Sequence, residues 1–209
     1  MSSVAVGGVQ QAFAQAAAQD GIVLQSGSFD WLCEQGHVGL ERVAKARRDP
    51  ALVGPVTAAL DLLSAIHARL GGDVSVLHAS RENLLLPVEL LHEPSGTMVE
   101  VDEPAHFTSF RRDTLELYPP DAALAFDVDA YKRLCDVWAA RTDGLARGMP
   151  AKGFGFGGAQ RERAYLDSLR DLATPAMGYP PVIRVEALDS DGAAAYERAR
   201  AGLLARLHA

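Results

Sequence analysis

The sequence predicts an α/β fold, and three features of its 209 residues support that prediction. Apolar residues recur at helical spacing between positions 52 and 70, two apolar stretches flank a turn near position 94, and an amphipathic helix and a short strand follow position 159. Apolar residues make up 48% of the chain and charged residues 22%, which is ordinary for a globular protein. The length favours one domain with an embellishment over two full domains.

The N-terminal part, residues 1–73, is predicted to be helical. Helix formers, capping residues and turn residues mark three helices in it. They are Val9–Gln19, a helix capped by Ser28 or Asp30 that runs to about Arg47, and a helix that follows Pro50 and ends at Gly71-Gly72.

Residues 74–209 show the patterns of strands as well as helices, and we predict an α/β core here with an insertion around residues 103–158. The predicted strands are Val74–Leu77, Leu84–Leu91, Thr97–Val101 and Val182–Val185. The predicted helices are Val128–Arg141, Ala159–Leu172 and a last helix capped by Asp191 that extends to about Leu207.

The second and third of these strands are expected to form a β-hairpin with acidic residues on one face. A four-residue loop would place Glu89 opposite Glu100, and a two-residue loop would place it opposite Asp102. Both registers put the three carboxylates on the same face because side chains alternate along a strand. A three-residue loop would separate them, and surface strands often carry acidic residues on a solvated face.

Like charges that lie opposite each other destabilise a sheet, so these carboxylates need a compensating cation, a basic neighbour or exposure to solvent. A divalent metal is one such cation, and Mg²⁺ or Mn²⁺ prefers oxygen ligands. The candidate ligands are Glu89, Glu100 and Asp102.

The charge is unevenly distributed along the chain. The net charge of −7 counts against a protein that coats nucleic acid. Residues 82–129 contain eleven acidic and two basic residues, whereas residues 132–171 contain eight basic and five acidic residues. This distribution fits a metal site next to arginines that contact phosphate, although solvated faces of opposite sign would give the same distribution.

Two short motifs resemble those of the restriction-endonuclease-like, or PD-(D/E)XK, superfamily. Pro87-Val88-Glu89 matches the first acidic motif, and Glu100-Val101-Asp102 matches the second without its lysine. The run VEVDEPAH, Val99–His106, resembles the very-short-patch-repair-like branch, although Glu103 stands where that branch usually has glycine. The resemblance covers roughly residues 74–186 and implies a helix before a three-stranded meander, followed by a further helix and strand.

The resemblance implies a metal-dependent nuclease that hydrolyses phosphodiester bonds. Glu89 and Glu100 would bind Mg²⁺ or Mn²⁺, and Asp102 would be a further ligand or would orient the attacking water. His106 would act as a general acid or base, and the alternative for it is a solvent-facing loop histidine.

Nucleic acid, DNA or RNA, is the partner that this resemblance implies, and basic residues around the last long helix are the candidate contacts. They are Lys152, Arg161, Arg163 and Arg170. The alternative is a helix with intrahelical ion pairs such as Arg163 with Asp167. The glycine loop before the helix carries Phe154 and Phe156, which either stack on bases or pack on the core.

A non-catalytic binding or regulatory protein that retains a nuclease-like fold is the alternative function, with a protein partner or a second copy as its ligand. A nucleotide-binding protein that uses the glycine loop is a third candidate. We see no apolar run near eighteen residues and no leader pattern in the first 19 residues, so we expect a cytoplasmic protein without a membrane partner.

Overall fold

The computed structural model describes residues 7–145 and 148–207, which form eight α-helices and one four-stranded mixed sheet. The helices are α1 Gly8–Gln19, α2 His37–Arg47, α3 Pro50–Arg69, α4 Val74–Ala79, α5 Ser109–Leu115, α6 Val128–Thr142, α7 Ala159–Ala176 and α8 Gly192–Leu207. The strands are β1 Gln25–Gly27, β2 Val88–His92, β3 Thr97–Asp102 and β4 Ile183–Glu186, and a short 3-10 turn spans Pro104–His106. The predicted α/β class is confirmed.

The four strands lie side by side in chain order. β1, β2 and β3 form an antiparallel meander, and β4 pairs with β3 in parallel. A parallel pair requires a crossover, and the connection from β3 to β4 contains α5, α6 and α7. The meander and the crossover together place α7 against the acidic hairpin.

Both faces of the sheet are covered by helices. On one face, α1 and α8 pack on each other and on the sheet through a core that includes Phe13, Val99 and Tyr196. The core on the other face joins α2, α3 and α7 and includes Leu63 and Leu169. The N-terminal helices therefore contribute to both layers, since α1 lies on the α8 side and α3 packs on α7.

α3 is long and apolar enough to cross a membrane by length and composition alone. In the structure it packs along α2 and α7, and its side chains Leu52, Val56, Leu63 and Ile66 are buried in the core. A core helix passes the same test of length and composition.

The hairpin has the four-residue loop. Leu90 pairs with Val99 and His92 with Thr97, so the loop runs from Glu93 to Gly96. Gly96 adopts a positive φ of 68° and donates its N–H to the carbonyl of Glu93 at 3.1 Å. A left-handed backbone suits glycine, which explains the residue at this position.

The strand predicted over Val74–Leu77 is wrong, because these residues begin helix α4. The β-branched valines favour a strand, but Asp73 caps the helix by accepting a hydrogen bond from the N–H of Ser75 at 3.0 Å. The local cap and the tertiary packing therefore override the strand propensity.

The second predicted helix starts later than expected, at His37. Gly36 has a φ of 55°, and a Cβ at this position would overlap the hydroxyl of Tyr165. The chain between positions 28 and 36 instead forms turns and a bridge from Cys33 to Leu85. The first hairpin strand likewise starts at Val88 and not at Leu84.

Candidate functional site

An open cleft of about 460 Å³ lies between the acidic hairpin and α7. The sheet contributes Glu89 from β2 and Glu100 from β3, and His106 follows from the 3-10 turn. α7 faces them with side chains one helical turn apart, which places several polar groups along one stripe. These side chains are Glu162, Arg163, Leu166, Asp167 and Arg170.

Glu89 and Glu100 face the same cleft from neighbouring strands. The pairing of Leu90 with Val99, continued by one residue, places Glu89 opposite Glu100. Only 14% of the Glu100 side chain is exposed. Burial raises the pKa of this carboxyl, and the positive charges of Arg170 and Arg184 only partly offset that effect. The charged form of Glu100 is thus disfavoured at this position unless a cation compensates it.

Asp102 lies on the same strand as Glu100, but its carboxylate is fully buried. Arg184 donates from Nη1 to both of its oxygens, at 2.9 and 3.0 Å, and the hydroxyl of Tyr131 donates to Oδ2 at 2.9 Å. These contacts satisfy the charge within the protein, so the surroundings of Asp102 differ from those expected for a metal ligand open to the cleft.

Arg184 links three carboxylates beneath the cleft. Besides Asp102, its Nε donates to Asp171 Oδ1 at 2.8 Å, and its Nη2 lies 3.5 Å from Asp167 Oδ1. The second oxygen of Asp171 accepts hydrogen bonds from Arg111 and from Tyr118. Two buried arginines and three buried aspartates therefore form one network, which we call the buried ion network: Asp102, Arg111, Asp167, Asp171 and Arg184.

His106 connects the buried ion network to the cleft. Its Nδ1 lies 3.1 Å from Asp167 Oδ2 and 3.3 Å from Asp102 Oδ1. Because carboxylates only accept hydrogen bonds, Nδ1 carries a proton and Nε2 is the nitrogen left for the cleft. Burial disfavours the imidazolium, but Asp167 and Asp102 outweigh that effect and raise the pKa of His106 above its usual value.

Asp167 is the nearer of the two acidic partners of His106. Burial would raise the pKa of its carboxyl, but His106 and Arg184 stabilise the anion and hold the pKa well below its usual range. Asp167 is therefore an anion that favours protonation of His106, and not a group that exchanges protons near neutral pH.

The four predicted basic contacts separate into two groups. Arg163 and Arg170 line the cleft, and the Nε of Arg170 is 3.4 Å from Glu100 Oε1 while lacking a hydrogen-bond partner among the described residues. Lys152 forms an ion pair with Glu34 at 3.0 Å, away from the carboxylate pair. Arg161 donates to the carbonyls of the glycine loop and so supports that loop.

Five carboxylates line the cleft, and two of them, Glu89 and Glu100, come from adjacent strands. Within residues 7–145 and 148–207, no group of three or more acidic, histidine or cysteine side chains converges on one metal position. Magnesium is commonly held by one or two carboxylates and completes its shell with water and substrate phosphate. Glu89 and Glu100 supply a donor set of this kind.

Sequence reasoning missed the partners that hold this site together. Arg184 is the one charged residue of the predicted strand Val182–Val185, and a charged residue among apolar neighbours signals a buried partner. Arg111 and Tyr131 come from segments that had been assigned to an insertion, and only the fold brings them to Asp102 and Asp171.

Comparisons of the chain with family models, with curated proteins and with solved structures give no match.

Proposed function

We propose that this protein is a metal-dependent nuclease in which Glu89 and Glu100 hold one Mg²⁺ or Mn²⁺ ion. The observation that carries the proposal is the position of these two carboxylates, which face one open cleft from adjacent strands beneath a helix with arginines. A divalent ion bound there would activate a water molecule and stabilise the negative charge that develops on a phosphodiester.

Two arginines of α7 are placed to bind the substrate phosphate. Arg163 is exposed at the rim, and Arg170 lies deeper, with 15% of its side chain exposed. The Nε of Arg170 is buried 3.4 Å from Glu100, so it is the exposed part of the guanidinium that would contact an anionic ligand. These residues would orient the phosphate against the carboxylate pair and neutralise part of its charge.

His106 would serve as the general acid. Its Nδ1 is held by Asp167 and Asp102, so the ring is oriented and Nε2 is the atom that would transfer a proton. The raised pKa of His106 favours the protonated form of the imidazole, which is the form that can donate a proton. Protonation of the leaving oxygen needs a group in this state.

The order of elements supports a restriction-endonuclease-like core. α1 precedes the antiparallel meander β1–β3, and α7 and the parallel strand β4 follow it. This is the helix, meander, helix and strand that the motif resemblance implies, with the first helix and strand at residues 8–27 and not at 74–77. Both acidic motifs then fall on the second and third strands of the meander.

The second motif lacks its lysine, and in this interpretation a residue of another element supplies the missing positive charge. Asp102 occupies the lysine position and points into the buried ion network, where Arg184 balances its charge. The positive charge next to Glu100 comes from Arg170 of α7. Asp102 would accordingly be a positioning residue that holds His106, and the metal ligands would be Glu89 and Glu100.

The test is a cleavage assay with plasmid DNA, single-stranded DNA and RNA at low salt with Mn²⁺ or Mg²⁺. We expect the wild type to cut at least one substrate and Glu100→Gln to cut none, because the amide keeps the shape but loses the charge that binds the ion. Glu93→Gln is the matched control, since Glu93 is exposed in the hairpin loop. If no substrate is cut, or if Glu100→Gln is as active as Glu93→Gln, the proposal is wrong and a non-catalytic binding protein becomes the better interpretation.

A further inference from the structure

The glycine loop before α7 presents one aromatic ring to solvent and buries the other. Phe154 is 6% exposed and packs edge-on against His67. Phe156, two positions later, is 81% exposed, the highest value among the exposed large hydrophobic residues described. The structure thus distinguishes a core phenylalanine from one whose ring is mostly in solvent, with its tip near Gly148.

The backbone of this loop is fixed although the ring of Phe156 is free. Gly155 and Gly157 flank Phe156 with φ values of 65° and 69°, a backbone that other residues rarely adopt. Arg161 donates to the carbonyl of Phe156 at 3.3 Å and to that of Phe154 at 2.8 Å. The exposed ring is therefore carried by a hydrogen-bonded backbone and does not sit on an unsupported segment.

Phe156 stands close to the carboxylate cleft. Ala159 lines the cleft and follows Phe156 by three residues, a chain length of at most about 10 Å. The N–H of Ala159 donates to the carbonyl of Met149 at 3.4 Å, and the Met149 side chain is 59% exposed. Phe156 and Met149 thus belong to the chain segments next to the end of the cleft where α7 begins, outside its lining.

We propose that Phe156, with Met149 beside it, is a stacking subsite for an unpaired nucleobase of the strand whose phosphate occupies the cleft. This inference rests on the proposed function and specifies its substrate as single-stranded nucleic acid. A planar ring next to a phosphate-binding groove is the arrangement that sequence-independent single-strand binding uses, since every base has a face that can stack.

The charges nearby favour this occupant over an apolar protein surface. Arg163 and Arg170 are the arginines of the adjoining cleft, and they share its lining with five carboxylates, so a phosphate would bind at these two arginines and not along the whole cleft. A polyanion with flat apolar bases complements both features, whereas an apolar peptide would complement only the ring. A paired base would be unavailable to Phe156 because its faces are already stacked in the duplex.

The experiment measures the affinity of fluorescent oligonucleotides for the full chain in the presence of a chelator, so that binding is read without cleavage. The probes are short single strands of DNA and of RNA, the matching duplex, and a single strand with abasic positions. The variants are Phe156→Ala, Phe156→Leu and Phe156→Trp, with Val53→Ala as the control, since Val53 is 63% exposed on α3.

We expect Phe156→Ala to weaken single-strand binding roughly five- to one-hundredfold, which is the range for the loss of one base–aromatic stack. Phe156→Leu should weaken it to a similar extent, and Phe156→Trp should retain it. The abasic strand and the duplex should show little dependence on Phe156. The ratio of DNA to RNA affinity then identifies which single strand is preferred.

Equal affinity of wild type and Phe156→Ala for the single strand would overturn the stacking subsite. Wild-type affinity in Phe156→Leu would overturn it too, because it would indicate apolar docking of another partner and not stacking. The result is separable from the nuclease proposal. If binding depends on Phe156 but no substrate is cut in the presence of metal, the stacking subsite is supported and the nuclease proposal is not. If the wild type cuts its substrate but Phe156→Ala binds the single strand as tightly as the wild type, the nuclease proposal is supported and the stacking subsite is not.

Discussion

The Nδ1 atom of His106 lies 3.1 Å from Oδ2 of Asp167, although the two residues are 61 positions apart. One follows the acidic hairpin and the other lies on the buried side of α7. This contact ties the two walls of the cleft together. It also couples the stability of the fold to the protonation of one imidazole.

This coupling predicts how stability depends on pH. The folded-state pKa of His106 is raised, so its contribution is fully present below its usual pKa of 6.5 and is lost as the pH rises through the higher folded value. The pKa of Asp167 is lowered, so its contribution is present above its usual pKa of 3.8 and is lost as the pH falls through the lower value.

We therefore expect the difference in unfolding free energy between wild type and His106→Gln to shrink as the pH rises above about 6.5. Urea unfolding at a series of pH values measures this difference. The comparison with the variant is needed because burial lowers the pKa of His37 to about 4, which makes the fold less stable as the pH falls below 6.5. A difference that stays constant between pH 6 and 9 would contradict the assigned contact.

The same histidine predicts a kinetic effect. If His106 donates a proton to the leaving group, His106→Ala should lower kcat by about a hundredfold to ten-thousandfold and should leave metal affinity unchanged. The wild-type rate should fall as the pH rises through the raised pKa of His106, and this fall should be absent in the variant. A variant that retains the wild-type pH profile would show that another group supplies the proton.

The buried ion network predicts a large loss of stability when its central residue is removed. Arg184→Met would leave Asp102 and Asp171 buried without their main counter-charge, which typically costs about 3–5 kcal/mol. Arg198→Met is the matched control, because Arg198 is half exposed and pairs with exposed Asp189 and a backbone carbonyl.

Thermal or urea unfolding of the two variants provides the measurement. We expect a clear loss for Arg184→Met and little change for Arg198→Met. Similar effects of the two substitutions would mean that the network contributes no more than a surface ion pair.

The contact of α1 with α8 depends on a glycine. A Cβ at Gly192 would overlap the backbone carbonyl of Val9, whereas a Cβ at Gly202 in the same helix would meet nothing. Gly192→Ala should therefore destabilise the protein by about 1–3 kcal/mol through overpacking. Gly202→Ala should stabilise it by about 0.5–1 kcal/mol, since alanine is the better helix residue. Opposite shifts in Tm would verify this packing, and a destabilising Gly202→Ala would contradict it.

The sequence was sufficient to predict the strongly periodic elements and the acidic hairpin. The predicted helices at Val9–Gln19 and Val128–Arg141 match α1 and α6 within one residue at each end. The four-residue loop, one of two loop lengths that would bring the carboxylates together, is the one observed. These features depend on local residue patterns, which the sequence displays directly.

Features that depend on distant partners could not be predicted in the same way. β1 consists of three residues, Gln25–Gly27, without an apolar pattern, and it is a strand only because β2 lies beside it. The environment of Asp102 depends on Arg184, 82 positions later. The position of Arg184 between Ile183 and Val185 is the signal in the sequence that indicates a buried partner.

Whether Glu89 and Glu100 together hold one divalent ion can be measured by anomalous scattering from crystals of the protein soaked in Mn²⁺ at neutral pH. We expect a single manganese peak within about 2.2 Å of a carboxylate oxygen of each residue, the bond length of such hard ions. We expect no peak in Glu100→Gln and an unchanged peak in Glu93→Gln. Crystals of the wild type with no manganese between the two carboxylates, at a concentration that supports cleavage, would contradict the claim.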